Sequence, residues 1–256
     1  MNIYDELYDP QGVNYGGFRK NTDYATNREK KIFKKCSDFL ERYEAKDNSL
    51  ILEIGCGLGF NHKCHSNYLG IEYSSTAINN AKNRFGIEIN LRQGDATNLN
   101  ITEKSIDFLF TFSALEHIPD IHSALKQIDK VLKIGGFALI APAWNCRIWT
   151  VQKLKFLNYN DLSLRKKIAK FLIPLRENIF FRLTHALPKR LLDEIKLIFG
   201  IIPKLRFQKL PVDLELIRKF GHVSDDDAFI DIDAHSAITF YKTRGYQIIS
   251  HPSFLS

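Results

Sequence analysis

Apolar residues recur along this chain in two alternating patterns, short continuous runs and stripes of helical spacing. Ser49 to Ile54, Tyr68 to Ile71, Ile87 to Leu91, Ile106 to Phe112 and Phe137 to Ala141 are short and largely apolar. That is the pattern of parallel strands covered on both faces. The first stripe is Ile32, Phe33, Cys36, Phe39, Leu40 and Tyr43, which follows Thr26-Asn27-Arg28-Glu29, a capping box. The second is Ile78, Ala81 and Phe85, capped by Ser74 or Ser75. The third is Ile121, Leu125, Ile128 and Leu132, after which Lys133 to Gly136 turns the chain into the fifth strand. Such alternation predicts a parallel sheet with helices on both faces, because parallel crossovers are right-handed and usually helical.

The ends of the chain break this rhythm. Residues 1–22 place Tyr4, Tyr8, Tyr15 and Phe18 among Gly and Asn, either a lid over a site or a packed arm. Between Gly59 and Tyr68 only about two turns of helix fit. Residues 147–222 interleave apolar and basic residues and carry Pro174, Pro188, Pro203 and Pro211, which predicts several short amphipathic helices inserted after strand five. Ser224-Asp225-Asp226-Asp227 reads as a solvated turn before a strand. Ala228 to Ile232 enters that strand, Ala234 to Lys242 forms a helix closed near Gly245, and Tyr246 to Ser250 is a final strand. The expected organisation is an N-terminal arm and helix over 1–47, a ligand-binding core over 48–146, a basic helical insertion over 147–222 and a completion of the core over 223–256.

Composition narrows the setting. The 256 residues suffice for one large domain or a domain with an insertion. The N-terminus is polar and acidic, without the pattern of a signal peptide, and no run of about 18 uncharged apolar residues occurs. Cys36, Cys56, Cys64 and Cys146 show no CxxC pairing, so a reducing, cytoplasmic setting with free thiols is expected. The net charge of +7 is uneven: residues 147–209 hold 15 Lys/Arg and 4 Asp/Glu, or +11, which leaves −4 for the rest. Three readings of that basic segment stay open: a substrate cap, a peripheral contact of 165–207 with an anionic membrane, and an RNA contact. No RNA-binding module is recognisable in it, so nucleic acid is the weakest of the three.

The candidate chemistry starts at Glu53-Ile54-Gly55-Cys56-Gly57-Leu58-Gly59, a strand running into a glycine turn. Glycine in such a turn permits φ > 0 and lets a ligand approach the backbone. Glu72 ends the second strand 19 residues past Glu53, placed to take the two hydroxyls of a ribose. Gln93-Gly94-Asp95-Ala96 follows strand three, and Ser113-Ala114-Leu115-Glu116-His117 follows strand four. All these groups fall at the carboxyl ends of parallel strands, where ligands of open α/β sheets bind. A nucleoside-containing ligand follows. His62, Cys64 and His65 lack a further ligand pair at zinc spacing, so no metal is expected.

Leu52 to Gly59, Gly70-Ile71-Glu72-Tyr73-Ser74, Gln93 to Ala96, Phe112 to Ile118 and Val131 to Gly136 together resemble the class I S-adenosylmethionine-dependent methyltransferases over about residues 48–145. The glycine spacing differs from the G-x-G-x-x-G of nicotinamide dehydrogenases. The resemblance implies a Rossmann-like three-layer α/β/α sandwich with a mostly parallel sheet and S-adenosyl-L-methionine as cofactor. It implies that Gly55, Gly57 and Gly59 admit the methionine end and that Glu53 buttresses that loop or meets the amine. Glu72 would bind the ribose, Tyr73 would lie against the adenine, Asp95 and Ala96 would meet the adenine amine, and Ser113 the methionine moiety. The helix after the glycine loop is about a turn short, which resembles a subgroup found in glycan and lipid-linked biosynthesis. His117 is the candidate general base, with Glu116 orienting it or capping the next helix; His222 and His235 are further candidates. The strand-four text is not the Asn/Asp-Pro-Pro-Tyr of amino-methylating nucleic-acid enzymes, and Cys146 lacks the Pro-Cys turn of cytosine-carbon enzymes. The expected activity is methyl transfer to a hydroxyl of a sugar, a lipid-linked precursor or another small molecule. An RNA methyltransferase and a non-catalytic cofactor-binding adaptor are the alternatives.

Overall fold

The computed structural model describes residues 3–9, 27–203, 205–220 and 225–249. Tyr15, Phe18, Thr26, His222, Ser224 and Ser250 lie outside them. The chain divides into two units, one of residues 1–143 with 217–224 and one of residues 144–216 with 225–256.

The first unit is built on a five-stranded sheet in the order β3-β2-β1-β4-β5. Its strands are β1 Ile51–Ile54, β2 Tyr68–Glu72, β3 Leu91–Gln93, β4 Ile106–Phe112 and β5 Leu132–Ala141. Every pairing is parallel, so a three-layer α/β/α architecture results. All four residues of β1 are buried, which is why they read as an unbroken apolar run around Glu53. Helix α1 is Ile3–Leu7, α2 Asn27–Arg42, α3 Ser75–Phe85 and α4 Ile121–Val131. Cys36 and Leu40 of α2 and Ile78 and Ala81 of α3 share one core with Ile51, Phe108 and Phe110. The β4–α4–β5 crossover runs across the sheet in the opposite direction, so right-handedness puts α4 on the other face. Ile121, Ala124, Leu125, Ile128 and Val131 are buried there.

Three local expectations change. The third strand is Leu91–Gln93 rather than Ile87 to Leu91, since Ile87 stays exposed and pairing starts when Gly70 N donates to Asn90 O at 3.0 Å. Residues 57–65 form successive turns in place of a short helix. Lys133 to Gly136 lies inside β5 rather than before it: the register slips between Ile106 and Phe108, and Gly135 takes φ +79°.

The second unit is helical. It holds α5 Ile148–Val151, α6 Leu164–Phe171, α7 Ile173–Glu177 and α8 Ile179–Ile198. After an antiparallel pair of β6 Phe207–Lys209 with β7 Ile230–Ile232 comes α10 Ala234–Lys242; α9 Leu214–Phe220 crosses the division between units. Trp149, Leu154, Leu162 and Ile173 make a small core. Two expectations fail here. Tyr246 to Ile249 forms no strand, and Ile249 is exposed. Asp226 and Asp227 are buried, not solvated, because Asp226 forms an ion pair with Lys153 and both side chains are fully enclosed.

Candidate active site

The sheet order reverses at β1, whose neighbours β2 and β4 carry the chain to opposite sides. A crevice opens at such a point beyond the strand ends. Gly55, Gly57 and Gly59 leave β1 with φ of +75°, +51° and +69°, the left-handed region that glycine occupies without strain. A Cβ on Gly55 would stand 2.3 Å from Ala114 Cβ, so this turn seats directly against the end of β4.

Glu72 closes the turn. Its Oε2 accepts from Gly57 N and its Oε1 from Ser74 N, each at 2.9 Å. Burial raises its carboxyl above the ordinary value, while the Ser74, Gly57 and Tyr73 amides and nearby His117 draw it back down. Glu53 lies deeper. Tyr68 Oη donates to its Oε2, and Asn61 Nδ2 donates to Oε1 at 2.8 Å. Desolvation outweighs those two bonds and lifts the Glu53 carboxyl to about 7. The turns over 57–65 have the same origin: Asn61 is drawn inward to Glu53, and His62 Nδ1 lies 2.8 Å from Gly59 O. His65 Nε2 instead contacts Lys46 O at 3.1 Å, and no cluster suited to a metal occurs among the described residues.

At the end of β4, Ser113 takes φ +46° and its Oγ accepts from Arg28 Nη2 at 2.7 Å. Glu116 is fully buried, and its Oε1 accepts from Ala143 N at 3.0 Å. His117 Nε2 lies 3.8 Å from that same oxygen. Asp95 and Tyr73 are exposed; Asp95 Oδ1 accepts from the amide and hydroxyl of Thr97, each at 2.8 Å. Ala96 beside Asp95 is half-buried.

The N-terminal arm adds groups that no motif pointed to. Asp5 of α1 accepts from Ser74 Oγ at 2.8 Å and Thr76 N at 3.2 Å, at the start of α3. The Tyr4 ring meets His117 edge-on at 5.9 Å. A Cβ on Gly57 would stand 3.1 Å from Tyr8 Oη, so the Tyr8 hydroxyl covers that face of the glycine and a side chain there would crowd it. Asp5, Arg28, Asn61 and Tyr68 were missed; each reaches its partner across 8 to 85 residues of chain. The one signal was the cluster of tyrosines in the arm.

This sheet and the glycine turn at its reversal point define a Rossmann-like three-layer α/β/α fold. Residues 52–140 match the model of a methyltransferase domain, which supports the resemblance of this part of the chain to the class I S-adenosylmethionine-dependent methyltransferases. An uncharacterised protein of Methanocaldococcus jannaschii is 30% identical over 168 residues, 64% of this chain and 62% of that protein. A probable S-adenosylmethionine-dependent methyltransferase of Mycolicibacterium smegmatis is 24% identical over 95 residues, 36% of this chain and 37% of that one. The chain thus spans less than two thirds of the length of these relatives. The crystal structure of the YcgJ protein from Bacillus subtilis aligns at 21% identity with a TM-score of 0.41, over 54% of this chain and 66% of that one.

Proposed function

We propose that the chain transfers a methyl group from S-adenosyl-L-methionine to a hydroxyl of a small-molecule, glycan or lipid-linked acceptor. The observation that carries this reading is Glu72: a buried carboxylate at the end of β2, tied to the Gly57 amide, facing the point where the sheet order reverses. The residues fit the cofactor. Gly57 at φ +51° keeps the turn free of a side chain, and Glu72, held by backbone amides on both oxygens, presents a carboxylate able to accept from ribose hydroxyls. Gly55, Gly57 and Gly59 hold the methionine end, Tyr73 lies along the adenine, and Asp95 with Ala96 meets its amine. Ser113 and Arg28 bound the methionine carboxylate side. Glu53 is taken up by Tyr68 and Asn61, so its role is to brace the turn.

When bound, the cofactor supplies an electrophilic methyl carbon on a sulfonium. With the cofactor bound, the C–S bond would break as the C–O bond forms, its electron pair staying on sulfur, while this chain would orient the acceptor hydroxyl and take its proton. His117 accepts the proton at an imidazole nitrogen, and the buried Glu116 carboxylate 3.8 Å away positions the ring.

Two variants test this. Glu72→Ala is expected to weaken cofactor binding, measured by calorimetry, by about tenfold to a hundredfold, the loss of charge-assisted hydrogen bonds. Unchanged affinity would remove the ribose assignment. His117→Ala is expected to lower turnover by about 10²-fold or more at nearly unchanged cofactor affinity, read with methyl-labelled cofactor and fractionated host extract. Equal turnover would remove His117 as base.

A further inference from the structure

Helix α8 of the second unit is turned inside out. Amphipathic helices bury an apolar stripe and show charge to water. Here Asp193 is buried and held by Arg206 Nη2 at 2.7 and 2.6 Å, and Glu194 lies 3.6 Å from Lys242. The helix is anchored through Asp193, on the side away from its large apolar residues. Phe180, Leu183, Leu191, Ile195 and Ile198 recur at intervals of three, four and eight residues, so they form one stripe, and all five are exposed. Phe180 is 74% exposed and Ile198 80%. The preceding helices continue the theme: Leu164, Ile168 and Phe171 of α6 and Leu175 of α7 are exposed as well. So many exposed large side chains in one stretch mark an interaction surface.

Charge decides what covers it. Arg165, Lys166, Lys167, Arg176, Lys189 and Lys196 make no ion pair among the described residues. Of the acids nearby, three are engaged: Glu177 with Lys155 at 2.7 Å, Asp193 with Arg206, Glu194 with Lys242 and His235. A second copy of this chain would bring the same unneutralised cations against one another. RNA would be met by the cations but has no use for a row of Leu, Ile and Phe. A lipid surface with anionic headgroups takes both, apolar side chains below the headgroups and cations among them. No helix of the described residues is long and apolar enough to cross a membrane, so the contact lies in the plane of the interface.

We propose that the outward face of α6 to α8 docks the second unit on an anionic lipid surface. This is independent of the reading of the cofactor site, because it involves none of that site's residues.

The test is flotation of the full chain, without cofactor, with vesicles of phosphatidylcholine alone or mixed with phosphatidylserine. Binding is expected to the mixture, not to phosphatidylcholine alone, and to fall as salt rises toward about 1 M, where the screening length shrinks to about 3 Å. Lys166→Ser with Lys167→Ser should weaken it about thirtyfold, near fivefold per cation. Phe171→Ser with Phe180→Ser should weaken it at least tenfold; all four positions are exposed or half-buried, and circular dichroism checks that the variants fold. No binding to the mixture at low salt would overturn the proposal, and that result needs no variant. Equal binding to both vesicles would overturn it too. So would a dimer in sedimentation equilibrium that the Phe171/Phe180 variant abolishes, which assigns the face to a second copy. Retention of an RNA oligonucleotide that only the lysine variant loses would assign it to nucleic acid.

Discussion

Glu53 stands one residue before the end of β1 and Glu72 at the end of the adjacent β2, yet their surroundings set them different tasks. Glu72 is tied to two backbone amides and faces the crevice, whereas Glu53 is enclosed by Tyr68 and Asn61. Burial lifts the Glu53 carboxyl from 4.5 to about 7, so between those values the folded chain holds a proton that the unfolded chain has released. Stability is therefore greatest below about pH 4.5 as far as this group is concerned, and is lost as pH rises through about 7. The full loss is about 3 kcal/mol, from the two and a half pH units between the states. Glu53→Gln keeps the shape and removes the titration. We expect urea midpoints of the parent to fall from pH 5 to pH 8 and those of Glu53→Gln to fall distinctly less. Parallel curves would mean that Glu53 is ionised in the fold throughout. Sequence spacing marks Glu72 and the glycines. It does not reveal the difference between the two carboxylates, which arises from Asn61 and Tyr68 folding back onto one of them.

Among elements, legibility follows how much of a segment's environment its own sequence decides. Strand β4 is read residue for residue because both its faces are covered and its polar residues are only Asp107, bound to Lys133 at 2.8 Å, and the small buried Thr111. Strand β3 is an edge strand of three residues, and a single partner sets where it begins. Helix α1 is the least legible. Five residues do not make a stable helix alone, and it stays because Asp5 caps the start of α3 and Glu6 meets Arg218 at 3.1 Å. Those bonds hold the Asp5 carboxyl below its ordinary value despite partial burial. Asp5→Ala should release α1 and cost about 1 kcal/mol, as loss of a capping carboxylate does. Because Tyr4 and Tyr8 border His117 and Gly57, the same variant should bind cofactor more weakly. Native-state hydrogen exchange at the first turn of α3 reads the release directly; unchanged protection there would show that α1 is held by other contacts.

At the scale of the whole molecule the chain separates its chemistry. The cofactor motifs all lie in the first unit, and both tryptophans and the six cations of α6 to α8 named above lie in the second. What secures the second unit is not visible in its composition, since its apolar residues are so often exposed and its small core rests on Trp149, Leu154, Leu162 and Ile173. Lys153 and Asp226 sit beside that core as a fully enclosed ion pair joining segments 73 residues apart, with Lys153 at φ +53°. The acidic run could not announce this from sequence, because its cation is so distant in the chain. Removing one member of an enclosed pair leaves a charge deprived of its counterion, whereas replacing both by apolar groups is often tolerated. Asp226→Ala should therefore destabilise the second unit by about 3 kcal/mol or more, read by tryptophan fluorescence in urea. Lys153→Met with Asp226→Leu should recover most of that loss. Cofactor affinity of folded Asp226→Ala should stay within about twofold of the parent, since none of the proposed cofactor ligands lies in this unit. A loss of affinity as large as that of Glu72→Ala would mean that the second unit helps build the cofactor site. A double variant no more stable than Asp226→Ala would mean that Asp226 acts through its other contacts rather than through Lys153.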